Sequence, residues 1–286
     1  MKHCVSDIIM AWCQYRVRLC NLCQMTASTL RNQAQIADTL TKQIGAVPIA
    51  ELRKSHVDIF AAERLAHCAP VTVAAEIAVL RQILNWAVDE QIIAARPRLP
   101  TVSVPNTERP LPDDADYTWY LRTMSPRHSE ALEFMLLTGL APHELERLHY
   151  GDLSRDHDAI IIGGRADFAI KQESRRRTIP LNARAVAIWM NWGLGLQSDT
   201  PPFPRSDALQ KAMRRHFLDS QDVPAGANGL TPKMMRKWFA SKVAAEHSEA
   251  VLQRLLGHAP GSPITRKHYV RSNEAQMQSA VAGLGT

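Results

Sequence analysis

Five prolines (Pro97, Pro100, Pro105, Pro110 and Pro112) fall within a stretch of the chain that has no apolar period. Proline removes a backbone donor and forces its predecessor out of the α region, so neither a long helix nor a central strand can run through this segment. The chain must break there. We expect a first domain over residues 1–100, a linker over 101–112 and a second domain over 113–286. A chain of 286 residues is long enough for both parts to carry their own core.

Before the prolines every periodic stretch is helical. Leu30, Ile36, Leu40 and Ile44 recur at helical spacing, and Ile77, Leu80, Ile83, Leu84 and Val88 form a second apolar stripe. Beyond them, Ser129 to Leu137 reads as a helix ended by Thr138-Gly139, and Pro142 suits the first position of the next. Ala159–Ile162, Ala166–Lys171 and Arg177–Leu181 read as three short strands, the first two joined by a Gly163-Gly164 hairpin turn. Helices resume at Asn182. The expected fold class is mainly α with a small antiparallel β-sheet.

The formal charge of +6 is uneven: residues 205–286 hold 12 Lys/Arg against 6 Asp/Glu, whereas 106–204 hold 11 against 14. A cationic surplus of this kind fits a polyanionic partner such as double-stranded DNA. We find no run of about eighteen apolar residues and no secretory leader, so the expectation is no membrane and a cytoplasmic location. Five cysteines, an odd number with four near the start, argue against a secreted disulfide framework. Cys20 and Cys23 have metal-ligand spacing but lack a second pair to complete a tetrahedron, so no metal and no cofactor is expected.

The charged C-terminal segment also carries residues suited to phosphate chemistry. Thr231 can cap a helix that starts at Pro232, which puts Lys233 and Arg236 on one face near its positive end. A solvated basic face is the plain alternative. Gly257 matches a C-terminal cap and leaves His258 in the turn that follows. Tyr269 sits in Thr265-Arg-Lys-His-Tyr-Val-Arg271, where a phenol with a pKa near 10 would have cations around it. His268 is a second candidate for proton handling. Lys171 with Arg175, Arg176 and Arg177 is either a reaching hairpin or a solvated basic loop.

The order Leu230-Thr-Pro-Lys-Met-Met-Arg236, Leu256-Gly-His258, His268-Tyr269 resembles the carboxyl half of the tyrosine recombinase (phage integrase) family. Leu136-Leu-Thr-Gly-Leu-Ala-Pro-His-Glu-Leu145 is similar to that family's first catalytic box, and Ile170-Lys171 through Arg177-Thr-Ile-Pro-Leu181 to its lysine-bearing hairpin. The resemblance implies an N-terminal helical core-binding domain and a catalytic domain. It also implies site-specific cutting and rejoining of DNA for a mobile element or replicon, through a 3′-phosphotyrosine and with neither ATP nor a divalent ion. Tyr269 would be the nucleophile and Arg236 a bidentate grip on the scissile phosphate. His258 would donate to that phosphate, Lys233 would be a further donor, and Lys171 would be the general acid for the departing 5′ oxygen. Implied partners are duplex DNA and further copies of the chain, a dimer on paired half-sites and a tetramer in synapsis. Accessory proteins are compatible with this scheme.

One position departs from the family pattern. Where the first catalytic arginine is expected, the chain has Ala141. Loss of one preorganised donor typically costs about a hundred- to a thousandfold in rate. Arg165 and the Arg175 to Arg177 run are the candidates to fill the gap. The alternative is a recombinase-derived DNA-binding or regulatory protein that recognises a site without cutting it.

Overall fold

A computed structural model describes residues 3–105, 113–154, 156–168, 170, 172–193 and 195–262. The chain divides into two compact units, Met1–Glu108 and Arg109–Thr286.

The first unit is built from α1 (Val5–Asn21), α2 (Ala27–Ile44), α3 (Lys54–Leu65) and α4 (Pro70–Asp89). Proline at the first position of α4 leaves no wasted donor, and the expected stripe turns inward: Ile77, Leu80, Ile83 and Leu84 are buried with Val73 and Ala87. Val88 is only half-buried, one position off that face. By length and mean hydropathy α4 is long and apolar enough to cross a membrane, yet Glu76, Arg81, Gln82 and Asn85 interrupt its apolar residues and it packs here as a core helix of the unit. Its buried Glu76 is neutralised by Arg64 of α3, with Nε to Oε2 at 3.0 Å. Another polar group within the core went unread in the sequence: Gln33 accepts from Arg16 Nε at 2.9 Å and donates to Gln82 at 3.2 Å. Leu99 and Val102, among the prolines, pack against this same core.

The second unit comprises α5 (Asp114–Thr123), α6 (Pro126–Thr138), α7 (Pro142–Leu145), β1 (Ala159–Ile162), β2 (Arg177–Pro180), α8 (Ala183–Gly193), α9 (Ser206–Asp219), α10 (Pro232–Glu246) and α11 (Glu249–Leu256). Its core gathers Tyr120, Phe134, Leu140, Ile160, Trp189 and Met213. Helix α6 ends on Gly139 in the left-handed region (φ 67°), and α10 packs across it so closely that a Cβ at Gly139 would strike the Phe239 ring.

The sheet differs from the expected one. Of the described residues in the 166–171 segment none is in a strand, and β1 pairs antiparallel with β2, from Ala159↔Pro180 to Ile162↔Arg177. Gly163 does take a positive φ of 74°, but as the start of a long excursion and not as half of a two-residue turn. The register is set by burial: Arg177 and Ile179 of β2 face inward while Thr178 and Pro180 face out.

Candidate active site

Glu144 is the centre of the site. Proline at the start of α7 and Ala141 as its N-cap place Glu144 in the first turn, where its Oε2 accepts from the Ala141 N–H at 2.9 Å. That bond bends the carboxylate back into the protein. Two guanidiniums meet it there. Arg177 binds it through Nη1–Oε1 and Nη2–Oε2, both 2.9 Å, and Arg236 reaches Oε2 through Nη1 at 3.3 Å. Arg175 stands at the edge, its Nη1 4.0 Å from Oε1. Burial alone would raise the Glu144 pKa, but Arg177 and Arg236 outweigh it and hold the carboxyl at about 2.

Arg236 is placed by α10. Thr231 is the N-cap and Pro232 the first helical residue, as the sequence predicts, although the Thr231 hydroxyl makes no capping bond. Arg236 is buried, its Nη1 donating to the Gly139 carbonyl at 2.8 Å and its Nη2 to the Leu256 carbonyl. It therefore ties the ends of α6 and α11 together. Lys233, three residues earlier, is exposed, so the two cations share a helix end but not an environment.

His258 comes into the same cluster through Gly257. Helix α11 ends on Gly257 at φ 64°, and the His258 N–H returns to the Gln253 carbonyl at 2.9 Å. A Cβ at Gly257 would lie 2.9 Å from Arg177 Nη1 and 3.1 Å from Arg175 Cα, so glycine is required for the backbone angle and for the approach of β2. Burial, then Arg236, Arg175 and Arg177, drive the His258 pKa down to about 4 against the weaker pull of Glu144. The imidazole is neutral at pH 7.

Arg236 and His258 are thus brought together, whereas Lys171, His268 and Tyr269 lie outside the described residues. Glu144 and Gly257 were quoted in the sequence motifs without a site role. The glutamate three residues after an N-cap, at the first turn of a proline-led helix, was the available signal. The basic run before β2 is not a uniformly solvated loop: Arg177 is buried and Arg176 exposed. Arg165 is not in the cluster. Its Nε binds Asp152 at 2.7 Å, its Nη1 binds Asp167 at 2.7 Å, and its Nη2 binds the Arg147 carbonyl at 2.8 Å. Among the described residues no group of three or more His, Cys, Asp or Glu side chains could hold a metal ion.

A buried carboxylate that holds arginines in place beside a neutral histidine, at the amino end of a basic helix, is an arrangement suited to binding a phosphate ester. Residues 115–276 match the family model described as the phage integrase family. The match covers more than half of the sequence, and the chain belongs to that family of tyrosine recombinases. Among curated proteins it is similar to tyrosine recombinase XerC of Proteus mirabilis, 24% identical over 257 residues, covering 82% of this chain and 81% of that one. It is also similar to XerC of Erythrobacter litoralis, 27% identical over 232 residues, with 74% and 72% covered. Its fold matches the Tn1549 transposon integrase in complex with transposon right end DNA, with a TM-score of 0.76, 17% identity and coverage of 99% and 100%. It also matches a lambda integrase dimer bound to a COC′ core site, with a TM-score of 0.66, 13% identity and coverage of 93% and 96%.

Proposed function

We propose that the chain is a site-specific DNA recombinase in which Tyr269, its phenol proton passing to solvent, attacks a backbone phosphorus, the bond to the 5′ oxygen breaks, and a 3′-phosphotyrosine forms. Lys171 delivers the proton to the departing 5′ oxygen, and a 5′ hydroxyl of another strand later reverses the step. Arg236 and His258 bind the non-bridging oxygens, and Lys233 contributes charge at the rim of the site. The observation that supports this reading is one cluster in which Arg236 is bonded to Glu144 and the His258 imidazole feels the charge of both, an arrangement suited to binding a phosphate.

Residues 1–100 would grip the duplex as a DNA-binding domain, 101–112 would serve as the linker, and 113–286 would cut. Paired half-sites would recruit a dimer and two sites in synapsis a tetramer. The compartment that fits this reading is the cytoplasm. A second reading, recognition without cutting, is favoured by Ala141.

The test is a randomised duplex library incubated with the full chain, followed by selection of covalently attached DNA. Wild type should yield adducts and Tyr269→Phe none. Adducts at equal yield from Tyr269→Phe, or none from wild type with duplex binding retained, would overturn the recombinase reading, the second outcome in favour of the non-cutting protein.

A further inference from the structure

We propose that Arg175 is a catalytic residue that supplies the guanidinium missing at Ala141, entering the site from the turn before β2 instead of from the loop after α6. This rests on the recombinase reading for its substrate. Charge builds on two non-bridging oxygens as a phosphodiester exchanges, so a cradle with one arginine leaves part of that charge without a fixed partner.

The four arginines between Arg165 and Arg177 are distinguished by what they already hold. Arg177 is fully engaged: Nε donates to the Leu255 carbonyl at 2.8 Å, Nη1 to Glu144 and the Arg175 carbonyl, and Nη2 to Glu144. It cannot turn to DNA without stranding a buried carboxylate. Arg165 is anchored on Asp152 and Asp167, and Arg176 on Glu173 and the Gly163 carbonyl. Arg175 alone in this set combines a partly exposed side chain, 32%, with a loose contact to the central carboxylate at 4.0 Å. The Ala141 backbone N–H donates to the other oxygen of that same carboxylate, so residue 141 and the Arg175 guanidinium meet one acidic group from two sides.

The backbone beneath it is held. Arg175 closes a 3₁₀ turn over Glu173–Arg175, its N–H bonds the Gln172 carbonyl at 2.9 Å, and its own carbonyl accepts from Arg177 Nη1 at 3.0 Å. Gly257 packs against its Cα. A side chain only loosely paired at its tip, on a backbone fixed at its root, is preorganised for an incoming phosphate. Its charge also reaches His258, helping to hold that imidazole neutral.

The probe is inorganic phosphate titrated into the full chain and read at the His258 imidazole by NMR, with thermal unfolding as the check on folding. Wild type should shift saturably. Arg175→Ala should weaken phosphate binding at least about tenfold, Arg176→Ala should leave it unchanged, and Arg175→Ala with Ala141→Arg should restore it. Equal binding by Arg175→Ala, or no binding by wild type, overturns the proposal. On DNA selected as above, Arg175→Ala should slow adduct formation about a hundred- to a thousandfold and change duplex affinity far less. An adduct rate equal to wild type also overturns it. A wild type that binds phosphate through Arg175 but forms no adduct leaves Arg175 as a phosphate ligand and defeats only the recombinase reading.

Discussion

Arg177 holds Glu144 by two parallel hydrogen bonds of 2.9 Å, with each side chain only 3% exposed. The residues are 33 positions apart, and the pair joins α7 to β2. Arg236 adds a third contact to the same carboxylate from α10. Three elements that carry the site are thereby fixed relative to one another through one acidic group.

Removal of that group should be costly. Glu144→Ala leaves two guanidiniums buried without a counter-charge, and breaking a buried pair in this way typically costs about 3–5 kcal/mol. Urea unfolding of the variant should show a midpoint well below wild type with a similar slope. A midpoint within a few tenths molar of wild type would mean that the carboxylate is not the tie described.

Gly257→Ala and Gly261→Ala separate backbone angle from close approach. Both glycines have positive φ, 64° and 72°, but a Cβ at Gly261 meets nothing within 4 Å, whereas at Gly257 it meets Arg177 and Arg175. Gly261→Ala should lose about 1–3 kcal/mol from backbone strain alone. Gly257→Ala should lose more and should also weaken phosphate binding. Equal losses would show that the approach of β2 imposes no demand at this position.

Lys233→Ala tests the rim. The side chain is exposed, so stability should change by no more than about 0.5 kcal/mol. Duplex affinity should fall uniformly across sequences, with the slope of log K against log salt reduced by about one. An unchanged slope would remove Lys233 from the DNA-facing set.

Much of this was legible because it is local. The ends of α6 and α11 follow from Gly139 and Gly257, both left-handed as cap glycines are, and Pro232 begins α10. The stripe on α4 reports its buried face directly, apart from Val88. The middle strand was misread because Gly163-Gly164 has the composition of a tight hairpin, while the pairing that forms is set by Arg177 reaching Glu144 and Ile179 entering the core. Turn chemistry cannot register a contact made 33 residues back in the chain. Glu144 went unassigned for the same reason: its partners come from β2 and from α10, 92 positions on. Arg175, Arg176 and Arg177 are alike as letters, and only the register of β2 and the turn before it give them different fates.

Acid should loosen the fold in two separable steps. His258 has a folded pKa of about 4 against an ordinary 6.5, so between these values the unfolded chain binds a proton that the folded chain refuses. Stability then rises with pH, because the unfolded state carries more protons. The contribution is fully present above about 6.5 and is lost as pH falls toward about 4. Glu144, held at about 2 against 4.5, acts in the same direction over a lower window, below about 4.5. Denaturation midpoints measured from pH 7.5 to 3 should fall through both windows in wild type, and His258→Gln should flatten the upper one while leaving the lower intact. A His258→Gln profile superimposable on wild type between pH 6.5 and 4.5 would show that the imidazole is not held neutral by burial and its arginines.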